Sequence, residues 1–306
     1  MYFYQDPKLF LQTLHPVALI AYFSVVMFLT LACNHPVLLL AFYLILLIKV
    51  KLLAGFSEYK KYILFFTIMV LLIILINPLF NKLGNTVLWS GPAIPVVGCV
   101  TFTLEALLYG IDMGFRLIVI ITTFFLYNRA MNPDRAFSFF ARLAPGSVML
   151  MTLTTRMIPY LVLQLKNIKE VQQTRGVKFD HRNLKEKIAS YYPLIKVLLM
   201  SSLENAFNIA EAIQSRAYGS GRRSYYTREK IKLRDIIVLL ASGAAALTGV
   251  VLMVKQWACF EFYPGLGALW GMPEQMIVMV FLIVFLSLPL LLNWGWVYWP
   301  YLKWRI

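Results

Sequence analysis

Charge is scarce in this chain: of 306 residues, 14% are Asp, Glu, Lys or Arg and 60% are hydrophobic. Soluble domains carry about 25% charged residues, so an ordinary soluble fold is excluded. Uncharged stretches recur, each near the ~20 residues needed to cross a bilayer. They are continuous runs rather than alternations, which excludes a β-barrel. Histidine is rarer still. His15, His35 and His181 stand alone, so no metal role and no cofactor is expected. The three cysteines, Cys33, Cys99 and Cys259, show no metal spacing. All three fall on the predicted outer side, which leaves both a Cys99–Cys259 disulfide and buried free thiols open. No G-x-x-x-x-G-K-[ST] loop occurs, nor H-E-x-x-H, nor G-x-S-x-G. The chain therefore brings no ATP-binding loop and no hydrolytic constellation of its own.

What is present is a set of apolar runs at about 17–33, 36–53, 62–80, 111–128, 235–254 and 275–293. Asp6 and Lys8 precede the first run, which is long enough to span and lacks an A-x-A cleavage pattern, so it is expected to stay as a helix. Asn34-His35-Pro36 turns the first run into the second, with Pro36 suited to a first helical turn. The next link holds Lys49, Lys51, Glu58, Lys60 and Lys61 and is expected to be cytoplasmic. The 81–110 loop carries only Lys82 and Glu105, and the β-branched alternation of Val96–Leu104 suggests a small outer hairpin or re-entrant element. Asp112 and Arg116, spaced i, i+4 at the outer start of the fourth run, suit an ion pair.

Net charge is +15 with a pI near 9.7. In a soluble protein that balance would suggest nucleic acid. Here the charge segregates, with nineteen Lys/Arg and seven Asp/Glu within 129–234. The positive-inside rule explains this without any nucleic-acid partner. The expected fold is an all-α polytopic membrane protein. It has about six transmembrane helices, both termini cytoplasmic, and a cytoplasmic module of long amphipathic helices. The boundaries read as a membrane region 1–128, a helical module 129–234 and a second membrane region 235–306. Gly146–Leu165 is apolar enough to span, but it contains Arg156 and Pro159, and an amphipathic helix beneath the bilayer fits better.

Two basic motifs, Thr174-Arg175-Gly176 and Ser215-Arg216-Ala217, close the patterns Ala141–Gln173 and Leu184–Gln214 and lie 41 positions apart. A cation at a helix C-terminus is favoured by its free carbonyls and dipole, so either arginine alone reads equally well as a cap. The pair on one membrane face reads as a docking device. A membrane enzyme, such as a lipid-modifying transferase, would need a carboxylate or histidine cluster, and none is found. A self-contained secondary transporter would show repeat halves with interrupted spans, and those are weak. What remains is the form of a coupling subunit between a soluble motor and another membrane partner.

Asn132-Pro133-Asp134, Arg156-Met-Ile-Pro159-Tyr160, Gln172-Gln-Thr-Arg175-Gly176 and Glu211-Ala-Ile-Gln-Ser-Arg216-Ala-Tyr-Gly219 follow one another through the chain. In this order and spacing they resemble the transmembrane T component of energy-coupling factor transporters, a family that includes the cobalt-transporter permease. The family's motifs usually read Ala-Arg-Gly, and here Ala217 stands where the second glycine is usual. The resemblance implies a subunit of the bacterial plasma membrane that binds two cytoplasmic P-loop ATPases and one substrate-capturing membrane S subunit. It implies ATPase docking through Thr174, Arg175, Gly176, Ser215, Arg216 and Ala217, with Arg156, Pro159 and Glu211 supporting the coupling helices. It implies vitamin or transition-metal uptake, with ATP hydrolysis left to the partners.

Overall fold

In a bilayer every backbone polar group must find its partner within the protein, and this sequence meets that demand with helices. The computed structural model describes residues 10–53, 55–80, 84–94, 98–131, 133–141, 144–179, 183–221, 231–263, 265, 267 and 272–298. The chain opens with α1 (Phe10–Thr13), α2 (Pro16–Ala32), α3 (Pro36–Leu53) and α4 (Phe56–Phe80). A hairpin of β1 (Val87–Ile94) and β2 (Gly98–Thr103) follows, then α5 (Leu104–Ala130) and α6 (Pro133–Phe140). Two long helices, α7 (Pro145–Thr174) and α8 (Leu184–Ser215), precede α9 (Leu233–Val254) and α10 (Pro273–Tyr298). The chain forms two compact units, Met1–Arg135 with Glu229–Ile306, and Ala136–Arg228.

Five helices are long and apolar enough to cross a membrane: α3, α4, α7, α9 and α10. The protein is a multi-pass membrane protein. At 17 residues α2 falls just short of that length, and α5 is long but interrupted by Glu105, Asp112 and Arg116. By length and composition α7 qualifies too, despite Arg156 and Pro159, although only 6% of its apolar window is buried.

Within the first unit the core lies between α2, α3, α5, α9 and α10, with Leu14, Leu29, Leu38, Leu126 and Leu282 fully buried. α4 packs on α5 through Gly110-x-x-x-Gly114. A Cβ on Gly114 would lie 2.9 Å from Val70 Cγ1, and one on Gly110 would lie 3.3 Å from the Ile74 backbone. Small residues at this spacing let two helix backbones approach, which drives association where no hydrophobic effect operates. The hairpin ends on Thr103, which caps α5, and Glu105 accepts hydrogen bonds from Thr86 N (3.1 Å) and Oγ1 (2.7 Å). The alternation at Val96–Leu104 thus ends one residue early, because Leu104 already begins the helix. Cys33 and Cys259 are free thiols, the first buried and the second exposed. The Cys99 side chain lies outside the described residues.

One charge departs from its expected place. Lys49 reads as part of a cytoplasmic link, yet it lies inside α3 and is fully buried. Its ammonium donates to the Tyr22 hydroxyl and sits 3.8 Å from that ring's centroid. Tyr22 in turn donates to the Leu286 carbonyl at 3.0 Å. A buried cation is held by its hydrogen bonds, so losing the acceptor costs more than losing the cation. Tyr22→Phe is expected to lower stability by about 1–3 kcal/mol, whereas Lys49→Met is neutral or stabilising. Thermal unfolding of the detergent-solubilised variants checks the order.

Candidate functional site

A helix ends with four carbonyls that have no partner in the helix, and the way they are satisfied shapes whatever the end presents. α7 begins at Pro145, where no donor is needed, and ends at Thr174 with Arg175 as its C-cap. Gly176 takes φ +88°. Its N–H then reaches the Gln173 carbonyl at 3.0 Å, and Val177 N–H reaches Gln172 at 3.1 Å. This pair of backbone bonds is a Schellman motif.

α8 ends in the same way. Arg216 is its C-cap, Ala217 N–H reaches Gln214 at 2.9 Å and Tyr218 N–H reaches Ile213 at 3.3 Å. Ala217 adopts φ +53°, the left-handed conformation glycine takes in the first motif. A Cβ there costs on the order of 1–2 kcal/mol. The helix therefore ends at the position equivalent to Thr174, and the change from glycine does not displace it. The hydroxyls match as well: Thr174 Oγ1 donates to Val171 O (2.7 Å) and Ser215 Oγ donates to Ala212 O (3.1 Å).

Thr174, Arg175, Gly176, Ser215, Arg216 and Ala217 are all exposed. Neither the Arg175 nor the Arg216 guanidinium has a hydrogen bond or ion pair among the described residues. The helix-end carbonyls are taken by backbone N–H groups, which leaves both side chains unengaged.

α7 and α8 meet at two side-chain bonds. Gln164 donates to the Ser201 hydroxyl, and Asn205 Nδ2 donates to the Tyr160 hydroxyl at 3.2 Å. Tyr160 and Ser201 are 41 positions apart, and so are Gln164 and Asn205, the same offset that separates Arg175 from Arg216. Exchanging each residue for its equivalent returns the same two contacts, which is the rule of a two-fold interface. The midpoint falls at Val162 and Leu203, and each arginine lies thirteen residues beyond its midpoint. Each arm is then about 20 Å at 1.5 Å per residue. The repeat extends back through Gln173 and Gln214 to Glu170 and Glu211, so both ends read Glu-x-x-Gln-[Thr/Ser]-Arg-[Gly/Ala].

Around the midpoint the surface is apolar and open. Ile158 and Leu199 are again equivalents, and with Val162 and Leu203 they are 44–62% exposed. Along α8, Leu194 is buried, while Leu199, Leu203 and Phe207 are exposed. Arg156 is exposed in the first half of α7, and Pro159 adjoins the crossing residue Tyr160. Glu211 is exposed one helical turn before Ser215. Neither Arg156 nor Pro159 lies at the arginine ends.

Asp112 and Arg116 belong to α5, in the other unit. They form an ion pair at 3.2 Å, and Arg116 Nη2 also donates to the Cys33 carbonyl at 3.3 Å. A second polar cluster in that unit carries residues that sequence reasoning placed in the basic module. Arg135 Nη1 donates to Gln12 O, and Arg234 Nη2 donates to Thr13 O at 2.8 Å. Asp235 accepts from His15 N (2.8 Å) and Lys232 N (2.9 Å), and Gln12 Nε2 donates to Arg129 O (3.2 Å). Arg135 is where the chain leaves this unit, and Lys232–Asp235 is where it has just returned, so both connections are tied to Gln12–His15. An Asp three residues after an N-cap, ahead of an apolar run, was the signal for Asp235.

The chain is 32% identical over 218 residues to the energy-coupling factor transporter transmembrane protein EcfT of Streptococcus thermophilus, covering 66% of this chain and 77% of that protein. It is 27% identical over 190 residues to the EcfT of Ruminiclostridium cellulolyticum, covering 58% of this chain and 66% of that protein. With the Staphylococcus aureus EcfT it shares 29% identity over 151 residues, covering 46% of this chain and 56% of that protein. These relatives are named as transporter transmembrane components rather than enzymes. The family model for CbiQ, cobalt transport protein, matches residues 10–226. The chain belongs to that family, as a transmembrane T component of an energy-coupling factor transporter.

Proposed function

We propose that this chain passes motion from two cytoplasmic P-loop ATPases to one substrate-capturing membrane subunit. It does so through α7 and α8, in a plasma membrane with both termini cytoplasmic. The boundaries are a membrane region 1–128, a coupling module 129–234 and a membrane region 235–306. The transported compound is a vitamin or a transition-metal ion, selected by the partner. The observation that carries this reading is the pair of equal arms, each ending in an exposed arginine with no internal partner. Two motors related by a two-fold axis require two equivalent sockets at equal distance from that axis, and the offset of 41 supplies them. Arginine suits a socket because its planar fork bonds a carboxylate bidentately and stays charged when partly desolvated. The apolar midpoint, on the axis, then receives the substrate-capturing subunit.

Arg175→Ala and Arg216→Ala are each expected to weaken ATPase association, since leaving a buried partner charge unpaired costs about 2–5 kcal/mol. The double variant is expected to lose both the ATPases in co-purification and uptake in cells. A double variant that keeps its ATPases and its uptake refutes docking through these ends.

The two ends are also expected to exchange their C′ residues. Ala217→Gly relieves a left-handed alanine and is expected to gain about 1 kcal/mol, while Gly176→Ala loses a similar amount. Both should retain the ATPases, as measured by thermal unfolding alongside co-purification.

Leu199→Glu with Leu203→Glu separates the two roles. Uptake and association with the substrate-capturing subunit are expected to be lost while the ATPases remain bound. Loss of the ATPases as well would place their docking on the apolar midpoint.

A further inference from the structure

The first unit holds a cavity of about 220 Å³ between the start of α4 and the end of α5, lined by Glu58, Lys61, Tyr62, Phe125, Asn128 and Arg129. Its two cations differ in their engagement. Arg129 Nη2 lies 3.6 Å from Glu58 Oε2, with both side chains partly exposed, and such a pair contributes little on its own. The Lys61 side chain is exposed and has no hydrogen bond or ion pair among the described residues. The Tyr62 and Phe125 rings meet at 5.1 Å and form the apolar wall. The cavity therefore combines two cations, an amide and one carboxylate with two aromatic rings.

Its position on α4 gives this chemistry a direction. Lys61, Leu64, Phe65, Ile68 and Leu72 recur at i+3, i+4, i+7 and i+11 and share one helical face. Leu64, Phe65 and Ile68 are 69–73% exposed. A cation at the head of an exposed apolar stripe matches an amphiphile, with an anionic head at Lys61 and a hydrocarbon tail along the stripe. Glu58 opposes an anion there, because it competes for Arg129.

We propose that this cavity binds the phosphate of an anionic phospholipid, held by Lys61, Arg129 and Asn128, with an acyl chain lying along Leu64–Leu72. The proposal rests on the α3–α4 turn facing the cytoplasm, where the anionic leaflet lies. It does not depend on the arginine ends of α7 and α8.

The test uses the full chain, purified in mild detergent with whatever subunits accompany it, and native mass spectrometry with added lipid. Phosphatidylglycerol is expected to be retained in preference to phosphatidylcholine, and the preference is expected to fall as salt rises. Lys61→Gln is expected to weaken phosphatidylglycerol retention about fivefold, the effect of one basic residue at a membrane surface. Lys60→Gln, exposed but outside the cavity, should change it little. Glu58→Gln should strengthen it, which a purely structural Glu58–Arg129 pair does not predict. Equal losses from Lys60→Gln and Lys61→Gln overturn the site in favour of diffuse surface charge. Equal retention of phosphatidylcholine, or weaker binding in Glu58→Gln, also overturns it. Inorganic phosphate that displaces the lipid at millimolar concentration would mark a free-anion site and overturn the lipid assignment.

Discussion

Helix ends must dispose of their free carbonyls, and in this protein the manner of disposal separates arginines that build from arginines that are left over. Where an arginine caps, it reaches in from another element: Arg116 to Cys33 O, Arg135 to Gln12 O, Arg234 to Thr13 O. Each of these is buried or tied to neighbouring backbone, and each joins segments distant in sequence. At Arg175 and Arg216 the backbone folds back on itself, and the carbonyls are closed before any side chain is needed. Closure of those carbonyls therefore does not depend on the two arginine side chains. A cation near a helix C-terminus still gains from the dipole, by about 0.3–1 kcal/mol. That gain does not require arginine in particular, nor two copies at one offset. Lys255 shows the contrast: it caps α9 above the same kind of backbone closure, with Gln256 at φ +61°, and lays its ammonium over the Trp257 ring.

The same constraint governs the two connections that lead to α7 and from α8. The chain leaves the first unit at Arg135 and is fixed again by Lys232–Asp235, and both points are bonded to Gln12–His15. The two points where the chain leaves and re-enters the first unit are thereby tied to one short, cross-braced turn. Within α7, Thr152, Thr154 and Thr155 return their hydroxyls to the preceding turn. Those bonds lie just ahead of Pro159, where one backbone donor is missing.

The architecture was legible wherever hydropathy or punctuation alone decides it. The six apolar runs are helices, Pro36 starts α3, and the described part of the Val96–Leu104 alternation, Gly98–Thr103, is a hairpin strand. Lys49 was misread because counting charge near a turn treats every lysine as solvated, and only the Tyr22 hydroxyl across the helix pair gives it a buried place. Arg234 was counted with the basic module for the same reason, although burial makes it part of the other unit. Gly110 and Gly114 carry no periodic signal, since their meaning lies in what a Cβ would strike on α4. The arginine offset was visible. The crossing that shares it was not, because Gln164, Ser201, Tyr160 and Asn205 are unremarkable until two of them touch.

That shared offset bears on how similar the two sockets must be. Between Glu170–Gly176 and Glu211–Ala217 the glutamate, the glutamine, the hydroxyl and the arginine coincide, and the backbone closes with the same two bonds. At the tips, what differs is a methyl on Thr174 and a methyl on Ala217. Neither alters charge or hydrogen bonding, and the left-handed turn absorbs the second at a cost near 1–2 kcal/mol. A partner reading these tips therefore meets nearly the same surface twice. Discrimination between two unlike motors would have to come from residues further along each arm, where Val171 and Gln172 face Ala212 and Ile213 as equivalents. The left-handed alanine is where the repeat is kept at a cost, since the backbone closes there as it does at Gly176 despite the added Cβ.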